Sequence, residues 1–282
     1  MSTSLPDIGQ VTTVDVDGLK IRLACGGRSD GVPVLLTSPW PESIYAFRDI
    51  LSDIEGLCPL ILVDLPGFGR SEGRADLMSP EAMGDFIIEL AQHFGIHRMH
   101  AVGPDIGTPA LLFAAIRRPS LFQSLVLGSG ATSTDLAAGG LKDLISAPAG
   151  TFDRLEGGDI AVQFVTQSAA SLPPPAVIED YRLSSAGRRF AEAAGFVQAY
   201  PRDLPRLKTT LPNIDTPVLV LSGRSDPIVP PSNGELLVKY LPHCRHEVLE
   251  GGHLIWEDAP PTYAARLANW LRGGYRSLLP DA

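Results

Sequence analysis

Asp105 sits in Gly103-Pro104-Asp105-Ile106-Gly107, between a short apolar run and a helix-like one. An acid at a sharp bend between strand and helix can act as a nucleophile. The flanking glycines keep the crowded turn free of side chains, so that only the middle residue faces a ligand. The helix that follows turns its free N–H groups toward the bend, which favours an ionised carboxyl at neutral pH. The plain alternative is an Asp that caps the "IGTPALLFAAI" helix. Two distant segments bear on the choice. "LVLSGRSDPIVP" sets Asp226 just beyond a buried strand, and "EVLEGGHLIWEDAP" sets His253 in a glycine-marked loop after another. In that order Asp226 can orient the imidazole and His253 can act as base, whereas taken singly they read as a turn residue before Pro227 and a loop histidine.

Buried strands must hold these residues. "PVLLTS" from Pro33, "PLILVD" from Pro59, "MHAVG" from Met99, "SLVLGS" from Ser124 and "PVLVLSG" from Pro217 are short and apolar on both faces, as parallel strands covered on both sides are. Helix text alternates with them. Ser79-Pro80-Glu81 offers an N-cap, a first-turn proline and a first-turn acid before "AMGDFIIELAQHF", and "ALLFAAIRRP" ends at Pro119. Alternating strands and helices predict a parallel sheet with right-handed crossovers. "VTTVDVDG" and "LKIRLACGG" alternate by twos around Asp17-Gly18 and predict an antiparallel edge hairpin. The alternation lapses from about Ala131 to Leu207, an Ala-, Gly- and Ser-rich stretch around "SLPPPAVIEDY". This predicts a core domain of residues 1–130 and 208–282 with an inserted helical lid, or cap, at 131–207; a separate small domain or partly disordered insertion is the alternative.

Composition narrows the partners. With 282 residues, 44% of them hydrophobic, and a formal charge of −9, the chain can bury a large core and lacks the basic footprint of a nucleic-acid binder. Three scattered cysteines, Cys25, Cys58 and Cys244, fit a reducing compartment. "MSTSLPDIGQ" has neither the basic start nor the apolar middle of a signal peptide, and no later apolar run reaches membrane-spanning length, so a soluble cytoplasmic protein without membrane or nucleic-acid partners is expected. His93, His97 and His100 run through a helix end into a strand, and His243-Cys244-Arg245-His246 lacks further ligands, so no metal or other cofactor is expected. The sequence leaves the oligomeric state open, a homodimer included.

Together "DLPGFGRS" from Asp64, "GPDIG" from Gly103, Asp226 and His253 resemble the α/β-hydrolase superfamily over almost the whole chain outside the lid. The acid at the bend is similar to the branch of epoxide hydrolases and haloalkane dehalogenases; "SPWPES" from Ser38 matches that branch's H-G-x-P-x-S segment in part. The resemblance implies an α/β-hydrolase fold and a small, largely apolar substrate. It implies attack by Asp105 on carbon to form an alkyl ester, hydrolysed by water that His253 activates while Asp226 holds its tautomer. The backbone N–H groups of Trp40 and Ile106 would stabilise the oxyanion. A serine ether would resist hydrolysis where an aspartyl ester breaks, so Asp at the bend selects an epoxide, or less readily a carbon–halogen bond.

Three departures matter. Ile106 stands where dehalogenases often carry a halide-binding Trp, Ser38-Pro39 replaces His-Gly, and Phe196 or Val197 falls where the second lid tyrosine of epoxide hydrolases usually lies. Tyr181 and Tyr200 are the remaining lid tyrosines expected to face substrate, with packing roles as the alternative. Two other functions stay open: an ester, lactone or carbon–carbon hydrolase or a lyase using Asp105 as a base or an electrostatic group, and a ligand receptor without turnover.

Overall fold

The computed structural model describes residues 4–148 and 150–280. Its sheet contains β1 (Gln10–Val16), β2 (Leu19–Gly27), β3 (Val34–Thr37), β4 (Pro59–Val63), β5 (Met99–Pro104), β6 (Phe122–Gly128), β7 (Val218–Gly223) and β8 (Cys244–Leu249). They lie in the order β1-β2-β4-β3-β5-β6-β7-β8. β1 and β2 form the antiparallel hairpin, turned by Asp17 at φ 51° and Gly18 at φ 74°, and β2 meets β4 antiparallel; every later pairing is parallel. β3, β5 and β7 are buried along their whole length, which their Val- and Leu-rich text requires, while the edge strand β8 is half-exposed.

Helices cover both faces. In chain order they are α1 (Leu51–Ile54), α2 (Pro80–His93), α3 (Gly107–Arg117), α4 (Gly139–Ser146), α5 (Gly157–Ser168), α6 (Pro175–Ser185), α7 (Arg189–Gln198), α8 (Tyr200–Thr210), α9 (Ser232–Tyr240), α10 (Ile255–Asp258) and α11 (Pro260–Leu271). Ser79 caps α2, its hydroxyl accepting from the Ala82 N–H. Side chains alternate along each strand, so neighbours enter opposite layers. Leu35 and Ala101 pack with Phe86 and Leu111 of α2 and α3, whereas Val34, Leu36 and Val102 pack with Ile54, Tyr263 and Leu267 of α1 and α11. None of the described helices is long and apolar enough to cross a membrane. α4 to α8 form an all-helical insertion between β6 and β7, with α8 resting on α2 and α3.

Buried charge fixes part of that insertion to the sheet. The Arg22 guanidinium, on β2, donates from Nε to Asp64 at 2.5 Å and from both terminal nitrogens to Asp180 of α6 at 2.8 and 2.9 Å. Ser43 adds a hydroxyl to Asp180 at 2.7 Å. Asp64 also accepts the backbone N–H groups of Ile44 and Arg70, so the "DLPGFGRS" segment is a structural knot. Gly69 is required there because any β-carbon would run into the Asp64 carboxyl. Asp180→Ala leaves Arg22 paired with Asp64 but takes the acceptor from both its buried terminal nitrogens, so it should cost about 3 kcal/mol, read as a lowered urea midpoint.

Candidate active site

The bend after β5 forces Asp105 into the left-handed region at φ 52°, a conformation that Asp tolerates better than most residues. Its own N–H donates to the Gly128 carbonyl at 2.9 Å. Thr108 fastens the turn from behind, its hydroxyl donating to the Gly103 carbonyl and accepting the Gly128 N–H. A β-carbon at Gly103 would strike Leu111 and the α3 backbone, and one at Gly107 would strike Thr37. The glycine spacing read from sequence is thus demanded by packing on both sides of the acid.

Three distant segments converge at the ends of β5, β7 and β8. His253 directs Nδ1 to Asp226 Oδ2 at 2.8 Å and Nε2 toward Asp105 Oδ1 at 3.9 Å. Asp226 Oδ1 accepts the N–H groups of Ile228 and Val229 at 2.9 and 2.8 Å, which immobilises the carboxyl. Asp105 Oδ2 accepts the Trp40 N–H at 2.8 Å. The Trp40–Pro41 peptide is cis. Its two carboxylate oxygens therefore face different surroundings: one rests on a backbone amide, and the other faces the imidazole across a gap too long for a hydrogen bond.

Electrostatics suits this division. Burial pushes the Asp105 carboxyl above the ordinary aspartate range, opposed by His253 and by the N–H groups of Trp40 and Ile106. Burial also opposes the charged imidazole, but the Asp226 carboxylate outweighs it, helped by Asp105, and the His253 pKa is raised. The Asp105 side chain keeps 14% of its surface, that of His253 only 3%. Among the described residues no cluster of His, Cys, Asp or Glu has the arrangement of a metal site.

Asp105, Trp40 and His253 line a cavity of about 660 Å³, walled by Leu141, Leu144, Phe152, Phe164, Phe190 and Val197 among others. Apart from Asp105 and His253, Asp143 is the one ionisable side chain among its lining residues. Neither of the two tyrosines expected to face substrate is among the lining residues, and they differ in what their hydroxyls meet. Tyr181 does not line the cavity: it packs in the opposite core layer and donates to Glu257 at 2.8 Å, beside Arg48. Its acidic partner lies 76 residues away, so no local pattern around Tyr181 announces the bond. Tyr200 is buried with its ring edge-on to Phe196 and its hydroxyl in no hydrogen bond among the described residues. Burial raises the Tyr200 pKa and the charge of Asp105 raises it further, so the phenol lies within electrostatic reach of the site.

Sequence reasoning passed over a second set of buried polar groups. Glu42, two residues after Trp40, accepts the Trp256 indole N–H at 3.1 Å. Trp256 in turn lies edge-on to the His253 ring, with centroids 6.3 Å apart. Glu257 binds Tyr181 and Arg48. The only signal in the sequence is an acid among apolar neighbours at each place, "PWPES" and "LIWEDA".

A mostly parallel sheet with an acid on the bend after β5, an acid after β7 and a histidine after β8 defines the α/β-hydrolase class. The chain belongs to the alpha/beta hydrolase fold family, whose sequence pattern matches residues 32–260. It is 27% identical over 271 residues to RutD of Caulobacter sp., a protein named for carbamate hydrolysis, covering 92% of this chain and 97% of that one. Haloalkane dehalogenase 2 of Mycobacterium bovis is 26% identical over 262 residues, covering 89% of this chain and 92% of that one. The haloalkane dehalogenase DbeA from Bradyrhizobium elkani superposes with a TM-score of 0.81 at 21% identity, covering 96% and 99% of the two chains. An esterase and an epoxide hydrolase share the fold as well. These relationships place the chain among enzymes of the hydrolase class.

Proposed function

We propose that the protein hydrolyses a small, uncharged, largely apolar electrophile, foremost an epoxide, through an ester on Asp105, with His253 as base and Asp226 as its partner. One observation carries this reading: the Asp105 carboxylate has one oxygen on the Trp40 amide and the other free toward the cavity and His253. Asp105 Oδ1 attacks a ring carbon, and the breaking C–O bond sends its electrons to the epoxide oxygen, which takes a proton from the Tyr200 hydroxyl. In the ester, the negative charge of Asp105 is gone. Because that charge helped hold the proton on His253, its loss lowers the imidazole pKa and favours the neutral ring that can accept a proton from water. His253 then takes a proton from water as the oxygen adds to the Asp105 carboxyl carbon. The negative charge developing on Oδ2 meets the Trp40 and Ile106 N–H groups, and collapse expels the alcohol, which takes the proton from His253. The hydrolysed Asp105 is left as a carboxylic acid; it gives up its proton to solvent and the tyrosinate regains one, which restores both groups. The α4–α8 insertion acts as the lid that keeps bulk water from the ester.

A second reading has its own observation. The Trp40 indole Nε1 is buried without a partner while the ring lines the cavity. An indole N–H is too weak an acid to protonate an alkoxide but can hydrogen-bond a departing halide, so carbon–halogen cleavage by the same Asp105 ester is the alternative.

Single turnover in heavy-oxygen water tests the shared step: label should enter the peptide containing Asp105, and turnover without label there rejects the ester and leaves the lactone, carbon–carbon or lyase readings. Two variants separate the leaving groups. Tyr200→Phe should lower epoxide turnover by about 10²- to 10⁴-fold and spare haloalkanes. Trp40→Phe, which keeps the backbone N–H, should do the reverse. Absence of turnover on every epoxide, haloalkane and ester supplied would instead favour a receptor.

A further inference from the structure

Near the cavity-lining Trp40 two buried carboxyls, Glu42 and Glu257, act on each other. Glu42 is fully buried and Glu257 nearly so. Glu42 Oε2 accepts the Trp256 indole, and Glu257 Oε1 accepts Tyr181 and Arg48. The remaining oxygen of each, Glu42 Oε1 and Glu257 Oε2, is shielded from solvent and receives no donor among the described residues. Two interacting, ionised carboxylates cannot both leave an oxygen bare in a dehydrated pocket; each unpaired acceptor alone costs about 1 to 3 kcal/mol, and their mutual repulsion adds to it. One proton on Glu42, given to Glu257 Oε2, satisfies both.

We propose that Glu42 is a neutral carboxylic acid sharing its proton with Glu257, and that this pair is a positioning device holding the Trp40 amide and the Trp256 ring in place around Asp105 and His253. Glu42 follows Trp40 by two residues, so its anchor fixes the loop that presents the N–H to Asp105 Oδ2. Its other oxygen fixes Trp256, which rests against His253. Glu257 carries the connection to α6 through Tyr181. The groups acting on the Glu42 proton all point the same way except one. Burial first, then Glu257 and Asp105, hold the proton on, and the Arg48 guanidinium opposes them. Arg48 is itself occupied by Glu257 and by Asp49 at 3.0 Å.

A carboxyl whose folded pKa lies above its unfolded one adds stability that is full below the unfolded pKa, declines above it, and is gone once pH passes the folded pKa. Glu42→Gln keeps the shape and an N–H donor for Glu257 but has no proton to lose. Infrared spectra of the wild type should show the carbonyl band of a protonated carboxylic acid at neutral pH, and Glu42→Gln should lack it. Above the unfolded range of a glutamate, from about pH 5 upward, the melting temperature of Glu42→Gln should gain steadily on that of the wild type. These two readouts need no substrate, so they stand or fall apart from the Asp105 ester. The kinetic part rests on that ester: Glu42→Ala should lower kcat by about 10²-fold with KM nearly unchanged, and Glu42→Gln should restore most of it. A melting difference flat with pH, together with no carboxylic band lost in Glu42→Gln, would overturn the shared proton. Glu42→Gln as slow as Glu42→Ala, with the same heavy-oxygen label still entering Asp105, would overturn the positioning role and leave the ester intact.

Discussion

Mixed with a good substrate, the His253→Gln protein should gain mass on the peptide containing Asp105 and hold it for hours. The variant leaves the carboxylate on the Trp40 amide and facing the cavity, so attack on carbon proceeds. It removes the base for the second step, and turnover should fall by about 10³-fold or more. The size of the gain is itself informative. Ring opening adds the whole epoxide to the protein, whereas halide displacement adds the substrate less the elements of the hydrogen halide. Intact-protein mass spectrometry therefore reads the leaving group directly, and a fully active or unlabelled His253→Gln protein would count against the scheme.

Asp105→Asn should lose turnover by about 10⁴-fold or more while gaining stability at neutral pH. The loss follows because an amide is not a nucleophile toward carbon. The gain follows from linkage. Burial raises the Asp105 pKa, so ionising it in the folded state is uphill, and stability falls as pH rises from the unfolded value of the group through the folded one. Asn has no charge to desolvate and tolerates the left-handed conformation at φ 52°. The difference should be present at pH 7 and should vanish in acid, where both side chains are neutral. Chemical denaturation at two pH values checks it, on protein whose intact mass shows no deamidated acid. A variant less stable at neutral pH than in acid, relative to wild type, would contradict the buried-nucleophile reading.

Local pattern carried the strands and the bend into view. Short apolar runs such as "PVLVLSG" can be nothing but covered strands, and glycines two before and two after Asp105 mark a turn too crowded for side chains. Chain order then singled out Asp226 and His253, which stand together at 2.8 Å. What stayed hidden is long-range pairing. Arg22 meets Asp180 across 158 residues, and Trp256 meets Glu42 across 214. Each charge in such a pair looks like an ordinary surface charge in its own window, because nothing in the local text records which partner burial will supply. Tyr181 illustrates the error this causes. A tyrosine in a helical insertion above a cavity suggests a ligand contact, and only the fold reveals that Glu257 and Arg48 claim its hydroxyl. Tyr200 differs because no hydrogen bond among the described residues claims its hydroxyl.

The ties from α6 to Arg22 and to Glu257 divide the insertion into unequal partners. One half is riveted to the same groups that align the reacting atoms, so changes there disturb the chemistry. The outer wall, where Leu141, Leu144, Phe152 and Leu155 shape the cavity, is joined by apolar contact and carries no such duty. Substitutions at those few side chains can therefore reshape what the cavity admits without moving Asp105, His253 or the Trp40 amide.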